Sequence, residues 1–185
     1  MKPNYLTILI TTLCIFFNAC HNSNTAPQLQ LADSLIDKRA DSALCILEKL
    51  SIEEISNKSA KAMYALLLTE ALDKNFKSHR NDSLILIAVD YYKDNSNNKL
   101  KTKAYYYLGR VYQDNKEYIK ATEAYLTALK TASPNQAPIL QIYNNLALCY
   151  ESQEFYLPAI KTYKESYATA EKMQDKYGIL HATRG

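Results

Sequence analysis

Residues 102–132 carry two apolar stripes of helical spacing separated by a short polar turn. Ala104, Tyr105, Leu108, Val111 and Tyr112 recur three or four apart, and so do Ala121, Ala124, Tyr125, Ala128, Leu129 and Ala132. Each set is the one buried face of an amphipathic helix. Residues 113–116 (QDNK) supply the turn chemistry, and Asn115 is expected to cap the second helix. A helix pair of this size cannot bury its apolar face alone, so it needs a neighbour of its own kind. The sequence provides one. A shift of 38 residues carries Tyr105, Leu108, Gly109, Tyr112, Ala121 and Tyr125 onto Tyr143, Leu146, Ala147, Tyr150, Ala159 and Tyr163. Every replacement is identical or small for small.

Packing explains the pattern. Gly109 and Ala147 are small where two helices approach closely, and Ala121, Ala128 and Ala159 are small where the second helix meets its neighbour. The rings of Tyr105, Tyr112 and Tyr125 fill the holes between them. With an aromatic–leucine–glycine–tyrosine first helix and an alanine–aromatic second helix, the unit resembles the tetratricopeptide repeat. The usual period is about 34 residues; here it is 38, with residues 133–137 (SPNQA) in the connector and Tyr where Trp is favoured.

The resemblance implies an all-α fold, a right-handed α-α superhelix of helix pairs with a concave groove. It also implies a non-enzymatic protein that binds a protein or peptide partner there. The family's partner contacts, carried over residue by residue, fall on Lys103, Tyr106, Arg110 and Gln113 in one repeat. In the next they fall on Gln141, Asn144, Leu148 and Glu151. The family variant that clamps a C-terminal carboxylate pairs Lys with Asn on successive first helices. Asn144 and Asn145 are present, but Tyr106 stands in the Lys position, so that activity is not expected.

Upstream, residues 29–100 read as degenerate repeats. Leu31, Leu35 and Ile36 mark a short helix. Asp41 is expected to cap the next (Ala43, Leu44, Ile46, Leu47, Leu50), and residues 51–57 connect to a long helix with Met63, Tyr64, Leu67, Leu68 and Ala71. Asn81 is expected to cap a helix carrying Leu84, Ile87, Ala88, Tyr91 and Tyr92. Ala71 lies 38 residues before Gly109, in register with the array. The polar residues 90–103 are expected to hold a loop. The two clear repeats span 101–176. Residues 177–185 begin a further unit, with Gly185 at the next close-contact position and Ile179, Leu180 and Ala182 as a fragment of its stripe.

Residues 1–20 read as a targeting segment: Lys2, then an apolar run over 5–17 that is shorter than the ~20 residues of a comfortable membrane span. The small Ala19 directly before Cys20 resembles a bacterial lipoprotein signal of residues 1–19; an ordinary secretion signal or an uncleaved anchor would share the apolar run. The resemblance implies lipidation of Cys20, a membrane tether through 20–28, and a place in the bacterial cell envelope. In some bacteria acidic residues just after the lipidated Cys direct such lipoproteins to the cell surface; none occurs in residues 21–28 (HNSNTAPQ), so the resemblance favours a periplasm-facing position.

Other chemistries lack their residues. His21, His79 and His181 have no Cys, His or carboxylate at helix-ligand spacing, so no metal is expected. Three Gly, two of them in the last eight residues, cannot build a phosphate loop. No cofactor or catalytic group is expected, and acidic pairs such as Glu53 and Glu54 read as solvated helix sides. A net charge of +3 from 22 basic and 19 acidic side chains, without a basic cluster, gives no footprint for nucleic acid. Sixteen Tyr beside 4 Phe and no Trp read as core and groove filler. Cys45 and Cys149 are expected to be buried, inert thiols. Two functions follow from different classes: a lipid-tethered adaptor that grips a partner in the groove, or the N-terminal sensory part of a longer membrane-bound regulator.

Overall fold

In a computed structural model of the chain, residues 25–79, 81–133 and 138–183 are described. The targeting segment with Cys20, most of the connector 133–137, and Gly185 lie outside them. Among the described residues there are nine helices and no strand. They are α1 (Ala26–Leu35), α2 (Ala40–Leu47), α3 (Lys58–Lys74), α4 (Ser83–Tyr92) and α5 (Asn98–Asp114). Then come α6 (Tyr118–Thr131), α7 (Pro138–Ser152), α8 (Tyr156–Met173) and α9 (Lys176–Ala182).

The helices pair in order. Each first helix also touches the next first helix, α1 with α3, α3 with α5, α5 with α7 and α7 with α9. The second helices α2, α4, α6 and α8 make no close backbone approach to one another. One layer in contact and one layer splayed is the geometry of a curved array with the first helices inside, a right-handed α-α superhelix.

The small residues sit where the 38-residue register puts them. Ala71, Gly109 and Ala147 are all buried. A Cβ built on Gly109 would lie within 2.8 Å of three ring carbons of Tyr125, whose side chain is fully enclosed. Any side chain there would displace that ring. The helix α3 is buried on two sides. Tyr64, Leu67 and Ala71 face the core shared with α1 and α2, while Ala62, Ala65 and Leu66 join the larger core that runs on to α7.

The turns inside the pairs are alike in a way the sequence does not announce. Phe76, Lys116 and Glu154 all have left-handed backbone, with φ of 56°, 61° and 62°. In each turn this residue's N–H reaches back three residues and the next N–H reaches back five, for instance Lys116 to Gln113 and Glu117 to Tyr112. This is the Schellman arrangement, ordinarily closed by Gly. Here non-glycine residues adopt it, held by the stack around them.

Several boundaries differ from the sequence expectation. Asn115 ends α5 and does not open α6, because the left-handed turn falls on Lys116. Asp41 lies inside the first turn of α2, whose N-cap is Arg39. Asp82, not Asn81, is the N-cap of α4; Asn81 still accepts from the Ser83 N–H at 3.1 Å. The polar stretch 90–103, expected to hold a loop, does so only over residues 93–97: residues 90–92 end α4, and Asn97 accepts from Leu100 N–H at 3.2 Å and starts α5 at Asn98, six residues before the apolar stripe opens at Ala104. The first helix begins at Ala26, within the expected tether. Cys149 is buried as expected, but Cys45 is exposed on α2.

Candidate functional site

The inner face is built from the first helices, and polar side chains join them at the repeat spacing. Lys74 donates to Asp37 at 2.5 Å, Arg110 Nε donates to Asp73 Oδ1 at 2.8 Å, and Asn145 Nδ2 donates to the Tyr106 hydroxyl at 3.2 Å. The partners are 37, 37 and 39 residues apart, one repeat each time.

These contacts decide the standing of the first set of groove residues. Lys103 is paired with Glu70, a carboxylate only 2% exposed that also meets Lys74 Nζ at 3.1 Å. Arg110 is held by Asp73, by Asp114 Oδ1 at 3.6 Å and by Gln113 Oε1 at 3.3 Å. Gln113 in turn accepts from the Tyr125 hydroxyl at 2.8 Å. Tyr106 was expected to point away from the packing stripes; it points into them. Its ring lies 4.9 Å from Tyr107 and 6.0 Å from Tyr125, centroid to centroid. Burial pushes its hydroxyl up to about 12, with the Asp73 carboxylate adding to the rise. Three consecutive tyrosines present no periodicity from which to read which one turns inward.

The second set is freer. Gln141 and Leu148 are exposed on α7, seven residues and thus two turns apart on one stripe. Asn144 accepts from Ser166 Oγ at 2.9 Å, and Glu151 lies half-buried near Tyr163, whose hydroxyl burial pushes up to about 12. The remaining packing residues behave as the repeat requires. Leu108, Ala121, Tyr125, Leu146, Ala159 and Tyr163 are buried, and Tyr105, Tyr112, Tyr143 and Tyr150 are half-buried.

A second open surface lies on the outer side. An apolar groove of about 540 Å³ separates α6 from α8, floored by Tyr143, Leu146 and Tyr150 of α7 and flanked by Leu126, Leu129 and Leu157. Leu157 is 81% exposed.

One constellation was missed by spacing. His79, on the connector after α3, is buried, with Nε2 3.9 Å from Asp73 Oδ1 and 3.7 Å from Asp114 Oδ2. Neither carboxylate stands at helix-ligand spacing in the sequence, 6 and 35 residues from His79, and the fold brings both to it. The two aspartates come from successive repeats, so no local pattern records their meeting. Burial would raise the Asp73 carboxyl, but the nearby His79 and the Arg110 guanidinium outweigh it and leave the group lowered.

With this geometry in hand, residues 101–172 match the family described as Tetratricopeptide repeat. The chain is similar in fold to a solved structure described as the crystal structure of MamA protein. The TM-score is 0.53 at 22% identity, over 83% of this chain and 76% of that one. No curated protein matches the chain. Among the described residues no helix is long and apolar enough to cross a membrane.

Proposed function

We propose that the chain is a non-enzymatic adaptor, tethered to a membrane of the bacterial cell envelope by lipid on Cys20. It would bind a protein segment along the inner face of its first helices. The observation that carries this reading is the exposed Gln141–Leu148 stripe on α7, in a layer where Arg110, Asp73, Tyr106 and Asn145 already hold one another. An apolar side chain over Leu148 and a peptide group against Gln141 is the occupant the stripe fits. Tyr106 and Arg110 position the stack and do not touch the partner.

Site-resolved crosslinking tests the binding face. A crosslinker at Gln141 should capture the partner, Leu148→Glu should abolish capture, and Leu157→Glu in the outer groove should leave it intact. Loss with Leu157→Glu and retention with Leu148→Glu would move binding to the outer groove and reject the inner-face reading. The tether is checked separately by mass spectrometry of the mature N-terminus. An acylated Cys20 is expected, and an unmodified Cys20 removes the lipid from the account.

A further inference from the structure

The connector between α3 and α4 turns a histidine inward at the seam between two repeats. His79 is 7% exposed, and its Nε2 is buried without a hydrogen-bond partner. A buried nitrogen left without a partner carries an uncompensated desolvation cost. It is aimed between two carboxylates, Asp73 at the end of α3 and Asp114 at the end of α5, and the three ligand atoms lie within 4.8 Å of one another. We infer that Asp73, His79 and Asp114 form a site for a divalent first-row transition metal of the zinc class.

The electrostatics favour a dication. Both aspartates sit at helix C-termini, where the helix dipole adds partial negative charge. Two carboxylates against the single guanidinium of Arg110 leave the cluster one charge negative. Arg110 takes the part of the outer-shell donor that commonly orients a ligating carboxylate: its Nε holds Asp73 Oδ1 at 2.8 Å, leaving that oxygen another lone pair. An imidazole in the set selects against magnesium and calcium, which take oxygen ligands, and suits zinc.

Two of the three separations, those from His79, are near the requirement. Ligands about 2.0–2.1 Å from a tetrahedral zinc stand about 3.3–3.4 Å apart. The His79 separations of 3.9 and 3.7 Å need to close by a few tenths of an ångström. The Asp114 side chain, 27% exposed on the last residue of α5, has room to make that movement. Three protein ligands leave a fourth tetrahedral position for water. The competing occupant is a proton on His79 Nε2, which would pair with the same two carboxylates.

Calorimetric titration of the full chain with Zn²⁺, with Mg²⁺ and Ca²⁺ in parallel, decides between them. We expect one Zn²⁺ per chain whose affinity falls in Asp114→Asn by at least the ~10–100-fold that loss of an outer-shell partner alone causes. His79→Ala should abolish it. Asp114 is partly exposed, so its replacement leaves the connector's packing in place and its result stands even if His79→Ala does not fold. Equal Zn²⁺ affinity in wild type and Asp114→Asn overturns the site. So does Mg²⁺ or Ca²⁺ binding as tightly as Zn²⁺. Absence of stoichiometric Zn²⁺ binding also overturns it and assigns the space to the proton.

Discussion

Arg110 on α5 and Asp73 on α3 are joined by a 2.8 Å charge-assisted hydrogen bond that crosses one full repeat. With side chains 24% and 14% exposed, the pair is shielded enough to contribute more than a surface ion pair. Arg110→Ala and Asp73→Asn should each destabilise by about 1.5–3 kcal/mol, the usual worth of a hydrogen bond to a charged group. A double-mutant cycle in urea should return a coupling of about 0.5–3 kcal/mol. Additive losses would mean the two residues act through other neighbours.

Gly109 is the tightest contact in the first-helix layer. Gly109→Ala would gain about 1 kcal/mol of helix propensity. Against this, overpacking on the enclosed Tyr125 ring costs about 1–3 kcal/mol, so a net loss is expected. Gly178 makes the control. There a Cβ would meet the flexible end of Leu140, Cδ1 at 2.7 Å, which yields more easily, beside the Ala170 Cβ at 3.0 Å. Gly178→Ala should therefore cost less than Gly109→Ala in the same denaturation experiment.

The left-handed turn at Glu154 invites a stabilising change. A non-glycine residue in that conformation costs about 1–2 kcal/mol, and Gly returns roughly half of this as lost chain entropy. Glu154→Gly should raise stability by about 0.5–1 kcal/mol, read as a higher urea midpoint with unchanged slope.

Alkaline pH should unfold this protein through its tyrosines. The Tyr106 phenol keeps its proton to about 12 in the folded chain, against an ordinary value of 10.0. Between those values the unfolded chain binds fewer protons than the native one, so stability must fall as pH rises. It is fully present below about pH 10 and lost by about pH 12, worth about 3 kcal/mol from Tyr106 alone. Denaturation midpoints at about pH 8 and about pH 11 should differ accordingly.

The two thiols of the helical array should separate cleanly. Cys149 is fully buried and pushed up to about 12 by that burial, whereas Cys45 is exposed. Site-resolved alkylation of the folded chain near neutral pH should label Cys45 and spare Cys149 until denaturant is added.

What could be read from the sequence was what is written at helical spacing. The stripes of residues 102–132, the small positions Ala71, Gly109 and Ala147, and the 38-residue register all follow from side-chain size at fixed intervals. What could not be read depends on contacts between repeats. Arg110 looked like a groove residue because nothing local shows that Asp73 reaches it. His79 looked isolated because one of its carboxylates lies a repeat away. Asn115 looked like a helix start because the left-handed turn is made without the glycine that normally signals it. Asn98–Lys103 looked like a loop because the start of α5 extends past the apolar stripe with polar residues on its surface.

The splayed outer layer has a mechanical consequence. With no close backbone approach among α2, α4, α6 and α8, the convex side is the softer one, and side-chain bonds between successive repeats, Arg110–Asp73 and Asn145–Tyr106 on the inner helices and Gln153–Thr122 toward α6, act as latches. Unfastening one of them should let the coil flatten at that joint while the helices on either side stay intact.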